Sequence, residues 1–140
     1  MAESLRFHYD VDGDNFTSAG AASVEVKRKL RQLGFPAETI RRVSIAMYEG
    51  EINMVVHARG GVADVFVEPG CITIVLADQG PGIPDVDLAM QEGYSTAPDN
   101  IRALGFGAGM GLPNMKRYTD EMKIDTEVGK GTTVTMKVFV

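Results

Sequence analysis

The 140-residue chain has a single cysteine, Cys71, and only two histidines, His8 and His57. A lone thiol forbids an internal disulfide, and so few soft ligands cannot assemble an ordinary structural zinc site, which takes four. Basic residues are outnumbered 14 to 19, giving a formal net charge of −5. That balance argues against a nucleic-acid binder relying on a broad basic face. It leaves phosphate ligands open, because backbone amides and a metal can hold them. The longest apolar runs fall far short of the ~18 residues a membrane span needs. The opening MAESLRFHYD has neither a basic leader nor an apolar core. The expectation is a soluble cytoplasmic protein with no nucleic-acid or membrane partner.

Glycine is the residue in excess: 16 of 140, about 11% against ~7% in ordinary proteins. Seven of them (Gly80, Gly82, Gly93, Gly105, Gly107, Gly109 and Gly111) fall between Asp78 and Gly111. Length and composition otherwise fit one globular domain over residues 1–140.

Leu5, Phe7, Tyr9 and Val11 alternate with polar residues, predicting a half-buried strand that breaks at Asp12-Gly13-Asp14-Asn15. Apolar spacing predicts an amphipathic helix over 16–33, stopped by Gly34, and a second opened by Pro36 and running to about Ala58. Residues 62–68 and 71–77 read as a hairpin around Pro69-Gly70. The second of these strands, CITIVLA, is nearly continuous in apolar residues and is expected to be central and covered on both faces. A short helix over 86–91, a helix over 112–122 and a final hairpin of 123–128 with 132–139 complete the prediction.

Three features could carry chemistry. Asp78-Gln79-Gly80-Pro81-Gly82 directly follows the apolar strand. It is either a surface turn or a ligand acceptor whose glycines admit a ring or backbone at close range. Glu49 and Asn53 lie i,i+4 on one face of the second helix. They are either solvated polar residues or a general base beside a metal-binding carbonyl oxygen. Gly105-Phe106-Gly107-Ala108-Gly109-Met110-Gly111-Leu112 leads into a helix. It is either a flexible loop or an amide cradle for phosphate. The glycines match neither a Walker A nor a dinucleotide-binding fingerprint, and no nucleophile elbow is present. His57, near a helix end, is expected to cap or pack. Glu51 is expected to point away from the Glu49 face, and the Lys27-Arg28-Lys29 run reads as a solvated face.

In this order the features resemble the GHKL ATPase superfamily. Glu49-x-x-x-Asn53 is similar to its helix motif, and Asp78-x-Gly80-x-Gly82 to its first glycine box. Gly107-x-Gly109-x-Gly111-Leu112 is similar to its second box, and Gly129-Lys130-Gly131-Thr132 to the turn before its last strand. AMYEGEINMVVHA, ADQGPGIPD and GYST look like the small bacterial switch-protein and anti-sigma-factor serine/threonine kinases. Within that group the likeness leans toward the branch that activates a stress-signalling partner.

The resemblance implies a two-layer α/β sandwich of the Bergerat type: a mixed sheet covered by helices on one face, with a lid over about 93–111. It further implies that Asp78 accepts a hydrogen bond from adenine, supported by Thr132, while Gly80 and Gly82 let the base approach. Asn53 would ligate Mg²⁺, Gly107, Gly109 and Gly111 would cradle the phosphates of ATP ahead of Leu112, and Glu49 would be the catalytic base. Arg102, in the lid, is a candidate phosphate contact. The implied activity is an ATP-dependent protein serine/threonine kinase acting on a small regulatory protein. An ATP-gated binding module with little turnover and a detached histidine-kinase catalytic domain are the alternatives, and homodimer formation stays open.

Overall fold

The computed structural model describes residues 5–12, 20–58, 60–83, 86, 90 and 111–140. In chain order its elements are β1 (Leu5–Asp12), α1 (Ala21–Gln32), α2 (Ala37–Ala58), β2 (Gly60–Glu68), β3 (Cys71–Asp78), α3 (Gly111–Arg117), β4 (Glu121–Glu127) and β5 (Gly131–Phe139). The strands form one sheet in the order β1-β2-β3-β5-β4.

Period-2 alternation decides which side of this sheet is buried. Ala63, Val65 and Val67 on β2, Ile72, Ile74 and Leu76 on β3, and Val134, Met136 and Val138 on β5 are buried on one side. Val26 and Leu30 of α1 and Val43, Ala46, Met47 and Met54 of α2 belong to the same core. The two-layer α/β arrangement with helices on one face is as expected. Two details differ. Every described strand pairing is antiparallel, so the sheet is not mixed. The reason lies in the connections: β2–β3 and β4–β5 are hairpins, and β5 returns between β3 and β4 against the direction of both. β3 is central but covered on one face only. Cys71, Thr73, Val75 and Ala77 stay partly exposed, because small and β-branched side chains make that row apolar in sequence without a layer over it.

The predicted helix over 112–122 is cut short at Arg117. Leu112, Met115, Tyr118 and Met122 keep helical spacing, but β5 captures the chain first. The Asp120 N–H donates to the Lys137 carbonyl at 2.8 Å, and its carboxylate accepts the Phe139 N–H at 2.7 Å. Met122 is then the first inward residue of β4. The expected first helix begins at Ala21 within the described residues, and the predicted helix over 86–91 and the lid at 93–110 lie outside them apart from Val86 and Met90. No described helix is long and apolar enough to cross a membrane.

Gly50 in the middle of α2 costs roughly 1 kcal/mol relative to alanine in an isolated helix. Packing accounts for it: a Cβ there would collide with Leu76 Cδ1 of β3 and come within 3.3 Å of Met115 Cε of α3. The missing side chain lets α2 sit directly on β3, two residues before that strand ends at Asp78.

Candidate functional site

Three inward-facing rows run across β4, β5 and β3, and the last of them is polar. Met122, Met136 and Ile74 are register partners across β4, β5 and β3, as are Ile124, Val134 and Leu76. The next row toward the sheet end is Thr126, Thr132 and Asp78. The hydrophobic core therefore stops at a line of hydrogen-bonding groups.

The Asp78 carboxylate is held in place by backbone. Its Oδ1 accepts the Gly80 N–H at 2.9 Å and the Thr132 N–H at 3.2 Å. Oδ2 takes part in neither bond. Gly82, with φ at +79°, brings the following turn against β4, and a Cβ on it would meet the Glu127 carbonyl. The Gly129 N–H donates to the Pro81 carbonyl at 2.9 Å. Gly82 thus serves a close approach of backbone to backbone beside a carboxylate held by the amides of Gly80 and Thr132. An open depression of about 370 Å³ borders this corner, lined by Asp78, Asp125, Thr126, Glu127, Lys130, Gly131, Thr132 and Thr133. Three carboxylates against one lysine suit it poorly to a triphosphate; the other described candidates, Glu49 and Asn53, lie on the α2–α3 side.

On that side Glu49 and Asn53 are both half-buried on α2, between the buried residues Gly50, Glu51, Ile52, Met54 and Val55. Burial pushes the Glu49 carboxyl above its ordinary range, and a hydrogen bond from Asn114 pulls partly against it. That bond runs from Asn114 Nδ2 to Glu49 Oε1 at 3.4 Å, while Asn114 Oδ1 accepts from Arg117 at 3.4 Å. The guanidinium, which can only donate, fixes the amide so that its NH₂ faces the carboxylate. The arrangement sets a partly desolvated carboxylate beside a single amide donor. Asn114 carried no sequence signal beyond its place after the second glycine box.

Glu51 does something different. It is only 2% exposed and accepts the backbone N–H groups of Gly20 at 3.0 Å, Ala22 at 3.3 Å and Ser23 at 2.5 Å. α1 has no side-chain cap of its own at Gly20, so a carboxylate from α2 satisfies its N-terminal donors. Burial pushes the Glu51 carboxyl up against the pull of these amides. The expectation that Glu51 faces away from Glu49 holds, and its partner is now known. Gly111 opens α3 and Leu112 is buried in the core, whereas Gly105, Gly107 and Gly109 lie outside the described residues, as does Arg102.

The histidine kinase-like ATPase domain family matches residues 15–138. The chain belongs to this family. Among its relatives, an anti-sigma F factor of Clostridium acetobutylicum is 33% identical over 121 residues, 83% of this chain and 81% of that one. The serine/threonine-protein kinase RsbT of Bacillus subtilis is 32% identical over 110 residues, 74% and 75% of the two chains. Both kinds of relative therefore stand at much the same distance. A similar fold appears within the structure of the RsbU and RsbW domains of Rv1364c from Mycobacterium tuberculosis, with a TM-score of 0.64 at 17% identity. That match covers 96% of this chain and 32% of the other, so the chain spans about a third of that larger protein. The mycobacterial sensor histidine kinase MprB aligns with a TM-score of 0.54 at 20% identity over 96% and 97% of the two chains.

Proposed function

We propose that the chain is an ATP-dependent protein serine/threonine kinase that phosphorylates a small regulatory protein of the anti-sigma-antagonist or switch type in the bacterial cytoplasm. The observation that carries this reading is Glu49: a half-buried carboxylate, raised by burial and faced by an amide donor, one helical turn from Asn53 and on the helix that packs over the Asp78 strand.

The adenine of ATP fits the Asp78 corner by chemistry. A carboxylate accepts and cannot donate, so Asp78 suits the 6-amino group of adenine and disfavours the 6-oxo group of guanine. Thr132 would support that contact, and Gly80 and Gly82 would admit the ring. The phosphates would extend past Asn53 toward the segment before α3, where Gly107, Gly109, Gly111 and Leu112 stand in sequence. Mg²⁺ keeps most of its waters and binds through one or two protein groups plus phosphate oxygens, so a single carbonyl oxygen from Asn53 is a sufficient donor. When bound, the ion would neutralise phosphate charge.

In the transfer step Glu49 orients the serine or threonine hydroxyl of the protein substrate and takes its proton. The hydroxyl oxygen forms a bond to the γ-phosphorus as the bond to the bridging oxygen breaks, releasing ADP. Incubation with γ-labelled ATP and candidate antagonist proteins tests the reading. Acid-stable label on a partner serine or threonine, lost in Glu49→Gln while ATP binding persists, is the expected result. Undiminished transfer by Glu49→Gln would sink the assignment of the base. ATP binding with no transfer to any partner would favour the gated binding module, and acid-labile label would favour a detached histidine-kinase domain.

A further inference from the structure

The polar row at the sheet end contains one member that neither the glycine boxes nor the catalytic helix accounts for. Thr126 lies on β4 at the inward position that Met122 and Ile124 fill with apolar side chains in the preceding rows. Its hydroxyl makes three contacts. Oγ1 accepts the Ile83 N–H at 2.9 Å, donates to the Gly131 carbonyl oxygen at 3.3 Å and lies 2.8 Å from Thr132 Oγ1. These join the end of the Asp78–Ile83 turn to the strand that carries Thr132.

We propose that Thr126 is a positioning residue for the nucleotide base, acting through Thr132 and Ile83 without touching the ligand itself. The inference rests on the nucleotide reading above and adds a specificity device to it. A hydroxyl has one proton to give. Thr126 gives it to the Gly131 carbonyl, which can only accept, so the short contact with Thr132 is made by the Thr132 proton and the second lone pair of Thr126. Thr132 is thereby tied to Thr126 through its hydroxyl, while its backbone N–H holds Asp78 Oδ1. Beside it Asp78 can only accept. Thr126 therefore sets, through Thr132 and the turn, the place of the acceptor that meets the amino group of adenine, where guanine presents an oxygen. The same hydroxyl keeps Ile83 in register with β4, which fixes where the turn through Gly80 and Gly82 ends.

Thr126→Val tests this, being close in volume and lacking only the hydroxyl; Thr126→Ser keeps the hydroxyl and loses a methyl. ATP, ADP and GTP are titrated calorimetrically into wild type and both variants, with melting followed by circular dichroism. Loss of a neutral hydrogen bond and its alignment predicts roughly five- to tenfold weaker binding of both ATP and ADP to Thr126→Val. The ATP-over-GTP preference should shrink, and Thr126→Ser should stay within twofold of wild type. Thr126→Val with ATP affinity within twofold of wild type overturns the proposal. So does Thr126→Ser impaired as much as Thr126→Val, because the hydroxyl would then be irrelevant. If the valine variant is unfolded at the titration temperature, Thr126→Ala replaces it and is read by the same criteria. Wild type failing to bind ATP would instead overturn the nucleotide reading on which the proposal rests, a result distinguishable from an unaffected variant.

Discussion

Glu51→Ala takes away the acceptor shared by the amides of Gly20, Ala22 and Ser23. The site is 2% exposed, so water does not readily replace the carboxylate. Each buried donor left without a partner costs about 1–3 kcal/mol. Alanine also removes the carboxylate's own desolvation, which offsets part of that, so the low end applies: about 1 kcal/mol for each of three amides, or ~3 kcal/mol in all. Against a total stability of about 5–15 kcal/mol for a domain, that is a large fraction. At about 4 °C per kcal/mol for a chain of this size, the melting temperature should fall by roughly 12 °C. The loss should be local in origin. Hydrogen exchange should report lost protection at the amides of Gly20, Ala22 and Ser23 before the core strands open. Glu49→Ala, two residues away on the same helix, is the control: its carboxylate is half-buried and accepts one long side-chain bond, so stability should hold. A Glu51→Ala protein that melts within about 2 °C of wild type would refute the reasoning, as a free-standing α1 would then not need its cap from α2.

Asp78→Asn keeps an oxygen for the Gly80 and Thr132 amides but offers an NH₂ where adenine needs an acceptor. ATP affinity should fall at least about tenfold with little change in melting temperature, and unchanged affinity by calorimetry would remove the adenine assignment. Gly50→Ala should be destabilising by about 1 kcal/mol, since overpacking against Leu76 and Met115 outweighs the helix-propensity gain; a rise in urea midpoint would contradict the packing account. Asn114→Ala should move the acidic limb of the phosphotransfer pH profile upward. The sign follows from the causes: burial raises Glu49, Asn114 holds it back, and the base works only when ionised. The same raised carboxyl contributes stability that is full below its unfolded value, about 4.3, and lost as pH rises through the folded value. Thermal melts of Asn114→Ala across pH 4–8 should therefore decline over a range that ends at higher pH than in wild type.

The parts of the site that could be read in sequence were those whose partners are near in the chain or whose geometry is periodic. Glu49 and Asn53 share a helix face by spacing alone, and Asp78 stands where an apolar strand ends. Glu51 was legible only as a carboxylate pointing away from the Glu49 face. The amides it serves lie 28 to 31 positions away, and no local rule connects a helix lacking a cap to a carboxylate on the next helix. The helix over 112–122 failed for the opposite reason: Met122 satisfies a period of 3.6 from Met115 and a period of 2 toward Ile124 equally well. Sheet pairing at Asp120 decided between them.

Thr126 shows why the last row was hidden. A threonine near a strand end, followed by Glu127 and Val128, looks like the start of a solvated turn. Its meaning depends on register: β4 pairs with β5 so that Thr126 meets Thr132, and β5 pairs with β3 so that Thr132 meets Asp78. A one-residue slip at either pairing would turn one member of the row to the outer face. The inward rows of Met122, Ile124, Val134, Met136, Ile74 and Leu76 prevent that slip, because it would drive buried apolar side chains into water. The hydrophobic core thus does more than hold the domain together. By fixing register over two apolar rows, it dictates that the third brings two hydroxyls and a carboxylate into line near the point where Gly50 lets α2 approach.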